Sequence, residues 1–129
     1  MFKISSLTPR LVVSDAARAI SFYAEAFGAK VLEHHADDSG HVVLAVLAIG
    51  DLKFALTEEK RAWHNVAPTS LGGSPVLLAL AVDDADAVGE KMQRAGAKVV
   101  FPIDDHGYGF RDGRLVDPFG HYWIVSQAL

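Results

Sequence analysis

Apolar positions fall into two families of pattern along this chain, and each family occurs twice in the same order. Leu7 to Val13 reads as a short apolar strand interrupted by Pro9, a residue that suits an edge position. Ser14 or Asp15 then offers a side-chain oxygen to cap a helix. Ala16, Ile20, Tyr23 and Phe27 follow at helical spacing as its buried stripe, and Gly28 supplies a left-handed stop. Three strands complete the unit, at Lys30 to His35, His41 to Ile49 and Leu52 to Thr57.

The second half repeats this grammar. A strand from Pro75 to Val82 leads to Asp83 or Asp84 as cap, to a stripe of Val88, Met92 and Ala95, and to a stop at Gly96. Strands are predicted at Lys98 to Ile103, Gly109 to Val116 and His121 to Gln127. Asp84 lies 69 residues after Asp15, Gly96 lies 68 after Gly28, and Gly120 lies 70 after Gly50. A constant offset with single-residue slips is the mark of an internal duplication. The boundaries are module one at about 5–57, a loop at 58–74, and module two at about 75–127, all within one domain over residues 1–129. The fold class expected is α+β. Two strand–helix–three-strand modules (βαβββ) lie side by side as an eight-stranded mixed sheet that curls around a cup, with the helices on its outer face.

Composition narrows what such a cup does. The chain has 12 Lys and Arg against 16 Asp and Glu, a net charge of −4, and no cysteine. An acidic surface gives no drive toward phosphate backbones, so no nucleic-acid partner is expected. The absence of cysteine excludes disulfides, thiolate metal ligands and a cysteine nucleophile, and fits a reducing, cytoplasmic setting. The longest apolar run, His41 to Ile49, falls far short of the roughly 20 residues needed to span a bilayer, so no membrane partner is expected either.

Several segments resemble the vicinal oxygen chelate superfamily, the glyoxalase/bleomycin-resistance/dioxygenase group, and within it the PhnB-like glyoxalase-like proteins. The resemblance is carried by Thr8 to Asp15, Ala19 to Tyr23, Ala26 to Ala29, Leu71 to Val76 and, most specifically, Tyr108 to His121. It implies paired βαβββ modules and a homodimer. Enzymes of this group hold a divalent metal with side chains from the first and last strand of each module. The resemblance places those positions at Thr8, Phe54, Leu77 and Ile124. One hydroxyl among three hydrocarbons supplies neither imidazole nitrogen nor carboxylate oxygen, and a one-residue shift of register restores no ligand. No metal and no cofactor are expected.

The expected activity is therefore binding. Phe54, Leu77, Ala79, Tyr122 and Ile124 would line an apolar cup, Thr8 and Arg10 would anchor polar groups, and Trp63 would serve as a lid. Aromatic faces suit a flat organic molecule such as an antibiotic, and the acidic net charge suits a cationic one. The alternative is a lyase, isomerase or dioxygenase-like enzyme with a non-standard or absent metal site. His41, His106 and His121 would then be its acid–base groups. A third reading is a scaffold protein whose cup is filled by its own side chains. Among other polar residues, His34 and His35 read as surface turn residues, His121 as a backbone-bonding residue at a strand entry, and Arg111 as a structural ion-pair former. Strand parity puts Trp123 in the core.

Overall fold

Both βαβββ modules are present in the computed structural model, which describes residues 1–129. Module one comprises β1 (Arg10–Val13), α1 (Ala16–Phe27), β2 (Lys30–Ala36), β3 (Val42–Ile49) and β4 (Leu52–Glu58). A single 3-10 turn (Arg61–Trp63) and the short helix α2 (Pro68–Leu71) occupy the connection. Module two comprises β5 (Leu77–Ala81), α3 (Ala85–Ala95), β6 (Lys98–His106), β7 (Phe110–Val116) and β8 (Tyr122–Ala128). No helix is long and apolar enough to cross a membrane.

The helix boundaries follow from local chemistry. The Asp15 side chain accepts from Arg18 N–H, and Asp84 accepts from Ala87 N–H, so the second of each pair of candidate caps is the one used. Gly28 closes α1 at φ 70, a left-handed conformation that costs glycine little. Each helix start is also held from its own sheet. Glu58 at the end of β4 accepts from Ala16 N–H (2.9 Å) and Val42 N–H (2.8 Å). Gln127 in β8 accepts from Ala85 N–H (2.9 Å). Glu58 and Gln127 lie 69 residues apart, as do Ala16 and Ala85, so the duplication reaches down to single hydrogen bonds.

The eight strands are hydrogen-bonded as two four-stranded mixed sheets, ordered β1-β4-β3-β2 and β5-β8-β7-β6. In each, the first strand runs parallel to the last, and the remaining neighbours are antiparallel. β1 starts at Arg10, not Leu7, because Pro9 has no N–H to donate; its carbonyl still accepts from Ala55 N–H at 2.8 Å. β6 runs on to His106, beyond the expected end at Ile103. Its pairing with β7 is irregular between Phe101 and Asp104, where Pro102 removes a ladder donor.

One face of each sheet is covered, and both covered faces share a single core. Leu11, Val13, Leu47 and Leu56 from the first sheet join Leu115, Trp123 and Val125 from the second in one buried cluster. α1 also packs on α3, so its buried arc is wider than a stripe facing one sheet. Ala16, Ala19, Phe22, Tyr23 and Ala26 are buried, whereas Ile20 and Phe27 of the expected stripe are only half-buried. Trp123 is core, as its parity predicts. The opposite, open sheet faces carry the exposed Arg10 and Lys53 beside a buried Ala55 in module one, and the half-buried Asp112, Arg114 and Ile124 in module two.

Candidate functional site: two open sheet faces

Each open face holds a recess built from its own module. The module-one recess, about 630 Å³, is lined by Thr8 and Arg10 with the apolar Leu7, Leu44, Val46, Leu52 and Ala55 and the charged Glu33, Asp51 and Lys53. Strand pairing sets Arg10 beside Ala55, and none of the ion pairs of the chain includes Arg10. The module-two recess, about 300 Å³, is lined by Phe101, Pro102, His106, Tyr108, Asp112, Arg114 and Ile124. The two share no residue, because the covered faces meet in the common core and leave the open faces apart. A smaller apolar cavity of about 190 Å³ lies at the seam between modules, among Leu11, Phe54, Leu78, Leu80 and Trp123.

The expected site residues divide accordingly. Thr8 and Arg10 come together in the first recess, and Ile124 lies in the second. Ala79 borders the seam cavity. Leu77 and Tyr122 are register partners near one end of the second sheet and lie outside all three cavities.

Phe54 is corrected. Its ring is buried on the helix-covered side, 5.2 Å from the Tyr23 ring and 6.1 Å from the Trp123 ring. Arg10 pairs with Ala55 and Ala79 with Ile124, so Ala55 is the module-one counterpart of Ile124. The discrepancy comes from the turns. Gly50–Asp51 joins β3 to β4 in two residues, whereas Asp117–His121 takes five to join β7 to β8, so their glycines are not equivalent. The family's four metal positions thus become Thr8, Ala55, Leu77 and Ile124. They do not fit a divalent cation, since a lone hydroxyl is the sole polar side chain among them. No three His, Asp or Glu side chains stand close enough together to hold a metal elsewhere.

Trp63 is not brought to either recess. Lys60 Nζ sits 3.8 Å over its ring, and the His41 ring meets it edge-on at 6.2 Å, so the side chain is held between its own loop and the entry to β3. Glu59 fastens that loop, accepting from Ala67 N–H (2.8 Å) and from the Ser70 hydroxyl (2.7 Å). The Ser70 bond, then the Ala67 amide and the Arg61 charge, hold the Glu59 carboxyl below its ordinary range.

The histidines are now separable. His121 Nε2 bonds Val12 O at 2.8 Å, the backbone role expected of it. His41 Nε2 faces Glu59 O at 3.3 Å. His34 and His35 are exposed. Arg111 bridges Asp86 and Asp105, each at 3.0 Å, as a structural ion-pair former should, and these bonds raise its pKa.

His106 differs from the rest. Its Nε2 lies 2.9 Å from Asp112 Oδ1, and the Tyr108 hydroxyl donates to Asp112 Oδ2 at 2.7 Å. That bond, ahead of burial and the Asp112 charge, raises the Tyr108 pKa. The His106 and Tyr108 rings stack 5.3 Å apart and 3° from parallel. Asp112, Tyr108 and Arg114 were not picked out by sequence reasoning. Strand parity along β7, the rule that placed Trp123, sets Asp112 and Arg114 on the face opposite Leu115, but the irregular end of β6 hides the pairing that brings His106 to Asp112.

The fold and the sequence agree on ancestry. A sequence model of the Glyoxalase/Bleomycin resistance protein/Dioxygenase superfamily matches residues 3–125. Uncharacterized proteins of Mycobacterium bovis and Mycobacterium tuberculosis are each 40% identical over 127 residues, covering 96% of this chain and 84% and 75% of theirs. The gene product At5g48480 of Arabidopsis thaliana is similar in structure, with TM-score 0.76, 28% identity, and coverage of 96% of this chain and 99% of that one. The PhnB protein from Bacillus cereus superposes with TM-score 0.75 at 18% identity, over 96% and 100% of the two chains. The fosfomycin resistance protein FosX from Mesorhizobium loti does so with TM-score 0.71 at 20% identity, over 95% and 91%. These last two attest the fold alone. With the duplicated βαβββ architecture and a match over nearly its whole length, the chain belongs to the glyoxalase/bleomycin resistance protein/dioxygenase superfamily.

Proposed function

We propose that this protein binds a small, flat organic molecule on its open sheet faces without a metal at the positions its family uses for chelation, and that a second copy of the chain completes the cup. The observation that carries this reading is the module-one recess, where Thr8 and Arg10 stand with the apolar Leu7, Leu44, Val46, Leu52 and Ala55 and the charged Glu33, Asp51 and Lys53. A recess in which apolar side chains stand beside convergent polar groups is a form that small-molecule sites take, the polar groups fixing the orientation of the ligand. The replacement of chelating side chains by Thr8, Ala55, Leu77 and Ile124 argues against metal chemistry there. An antibiotic is one molecule of this type.

Support for the second copy comes from exposure. Leu77, Val99, Phe101, Tyr108 and Phe110 are all exposed on module two, and Val31, Leu32 and the N-terminal Phe2, Ile4 and Leu7 on module one. Large apolar side chains standing in water are a surface that a partner chain can cover. Each recess is open toward solvent and belongs to one module, so a partner's face is what would close it.

An enzymatic reading has one observation in its favour, the ordered His106–Asp112 pair in the second recess. A thermal-shift screen against divalent metals and aromatic antibiotics, run with analytical ultracentrifugation, tests the proposal. A ligand at 100 times its dissociation constant should stabilise the fold by about 2.7 kcal/mol. Stabilisation by organic compounds on a dimer supports binding, whereas stoichiometric metal uptake with turnover of a glyoxalase-type substrate overturns it.

A further inference from the structure

We infer that the module-two recess is the seat of an acidic ligand: a flat small molecule whose carboxylate or phosphonate pairs with the Arg114 guanidinium. This deepens the binding reading above and rests on it.

Two arginines of β7 are held in opposite ways. Arg111 is saturated, with Asp86 and Asp105 both at 3.0 Å. Arg114, on the open side of the same strand, belongs to none of the chain's ion pairs. It is half-buried, and its Nε is buried with no hydrogen-bond partner. A guanidinium nitrogen buried without a partner carries an unrepaid desolvation cost, while the terminal nitrogens of this half-buried side chain are left for a ligand. Its face is engaged, lying 5.2 Å from the centre of the Phe101 ring. Its two terminal nitrogens enter no ion pair, and together they form a fork that matches a planar anion.

The one carboxylate in the recess is already committed. Asp112 accepts from the Tyr108 hydroxyl and contacts His106 Nε2, so it holds those rings in place and leaves Arg114 unneutralised. The stacked His106 and Tyr108 rings, with Ile124 paired beside Arg114, bound a recess suited to a flat body. The net charge of −4 favours a cation over the whole surface, but exposed charges are screened beyond about 8 Å at physiological ionic strength. At the contact the arginine decides.

The test is a titration of the full-length protein with benzoate, phenylphosphonate, neutral benzamide and cationic benzamidine, read from backbone amide shifts. The acids are expected to perturb residues of β6, β7 and β8 with dissociation constants at least tenfold below that of benzamide. Arg114→Gln should remove that preference, Arg114→Lys should keep part of it, and Lys91→Gln on α3 should leave it unchanged. The comparison among probes on the unaltered protein stands even if a variant folds poorly. Equal binding of benzamide or benzamidine, or an unaltered acid preference in Arg114→Gln, overturns this inference and leaves the binding reading standing. Failure of these probes and of every compound in the thermal-shift screen overturns both.

Discussion

The Tyr23 hydroxyl, in the middle of α1, donates to Asp117 Oδ2 in the β7–β8 turn, 94 residues later. The same carboxylate oxygen accepts from Trp123 Nε1 at 2.9 Å, while Oδ1 accepts from the N–H groups of Phe119 (2.9 Å) and His121 (3.0 Å). Asp117 is therefore buried but fully satisfied, and one end of its network lies in each module. This bond helps fix the covered faces together, which is why the open faces stay apart. Burial first, and then the Asp117 charge, hold the Tyr23 pKa well above the tyrosine norm.

Removing that hydroxyl should cost about 1.5–3 kcal/mol, the range for a hydrogen bond to a charged group. Tyr23→Phe is the variant, and a lowered urea midpoint with unchanged slope is the expected result. The pH dependence has a definite sign. A group whose pKa is raised by folding contributes stability that is complete below its unfolded value, about 10, and is lost as pH rises above it. The native protein should thus lose more stability than Tyr23→Phe between about pH 9 and pH 11. Parallel alkaline slopes would show that Tyr23 does not report on the fold in this way.

The paired helix anchors make a second prediction. Glu58 serves two amides, Ala16 and Val42, with a carboxylate, whereas Gln127 serves only Ala85 with a neutral amide. Bonds to charged groups are the stronger ones. Glu58→Ala should cost about 1.5–3 kcal/mol and Gln127→Ala about 0.5–1.5 kcal/mol, measured by chemical denaturation. Equal losses would mean that the two modules are held alike despite the different residues.

Much of this architecture was legible in the chain because it rests on local rules. Asp15, Gly28, Asp84 and Gly96 punctuate the helices by their own backbone preferences, and a repeated pattern announces a repeated module. Alternation in β8 placed Trp123 in the core and Ile124 on the open face. The site was less legible where it depends on non-local register. Phe54 was matched with Ile124, in place of Ala55, because a two-residue turn and a five-residue turn were counted as equivalent through their glycines. Trp63 was misplaced because nothing in its sequence shows Lys60 folding back over the ring. The Asp112 cluster was missed because it forms across an irregular strand pair, where Pro102 breaks the parity from which a pairing is inferred.

That irregular pair also sets the most direct structural test of the second recess. Gly113 sits in β7 between Asp112 and Arg114, and a Cβ there would come within 2.7 Å of both Ile103 N and Phe101 O. Both are backbone atoms of β6, so relief requires moving the strand, not rotating a side chain. Overpacking of this kind typically costs about 1–3 kcal/mol. Gly113→Ala should therefore lower the melting temperature and also disturb the recess, since β6 carries Phe101 and His106. Ring resonances of His106 and Tyr108 give the readout, because displacement of β6 unstacks them. Gly107→Ala is the matched control, as a Cβ there meets nothing within 4 Å. Loss of stability in Gly113→Ala with His106 and Tyr108 unmoved would show that β6 yields locally at Ile103 and that the recess does not depend on this close approach.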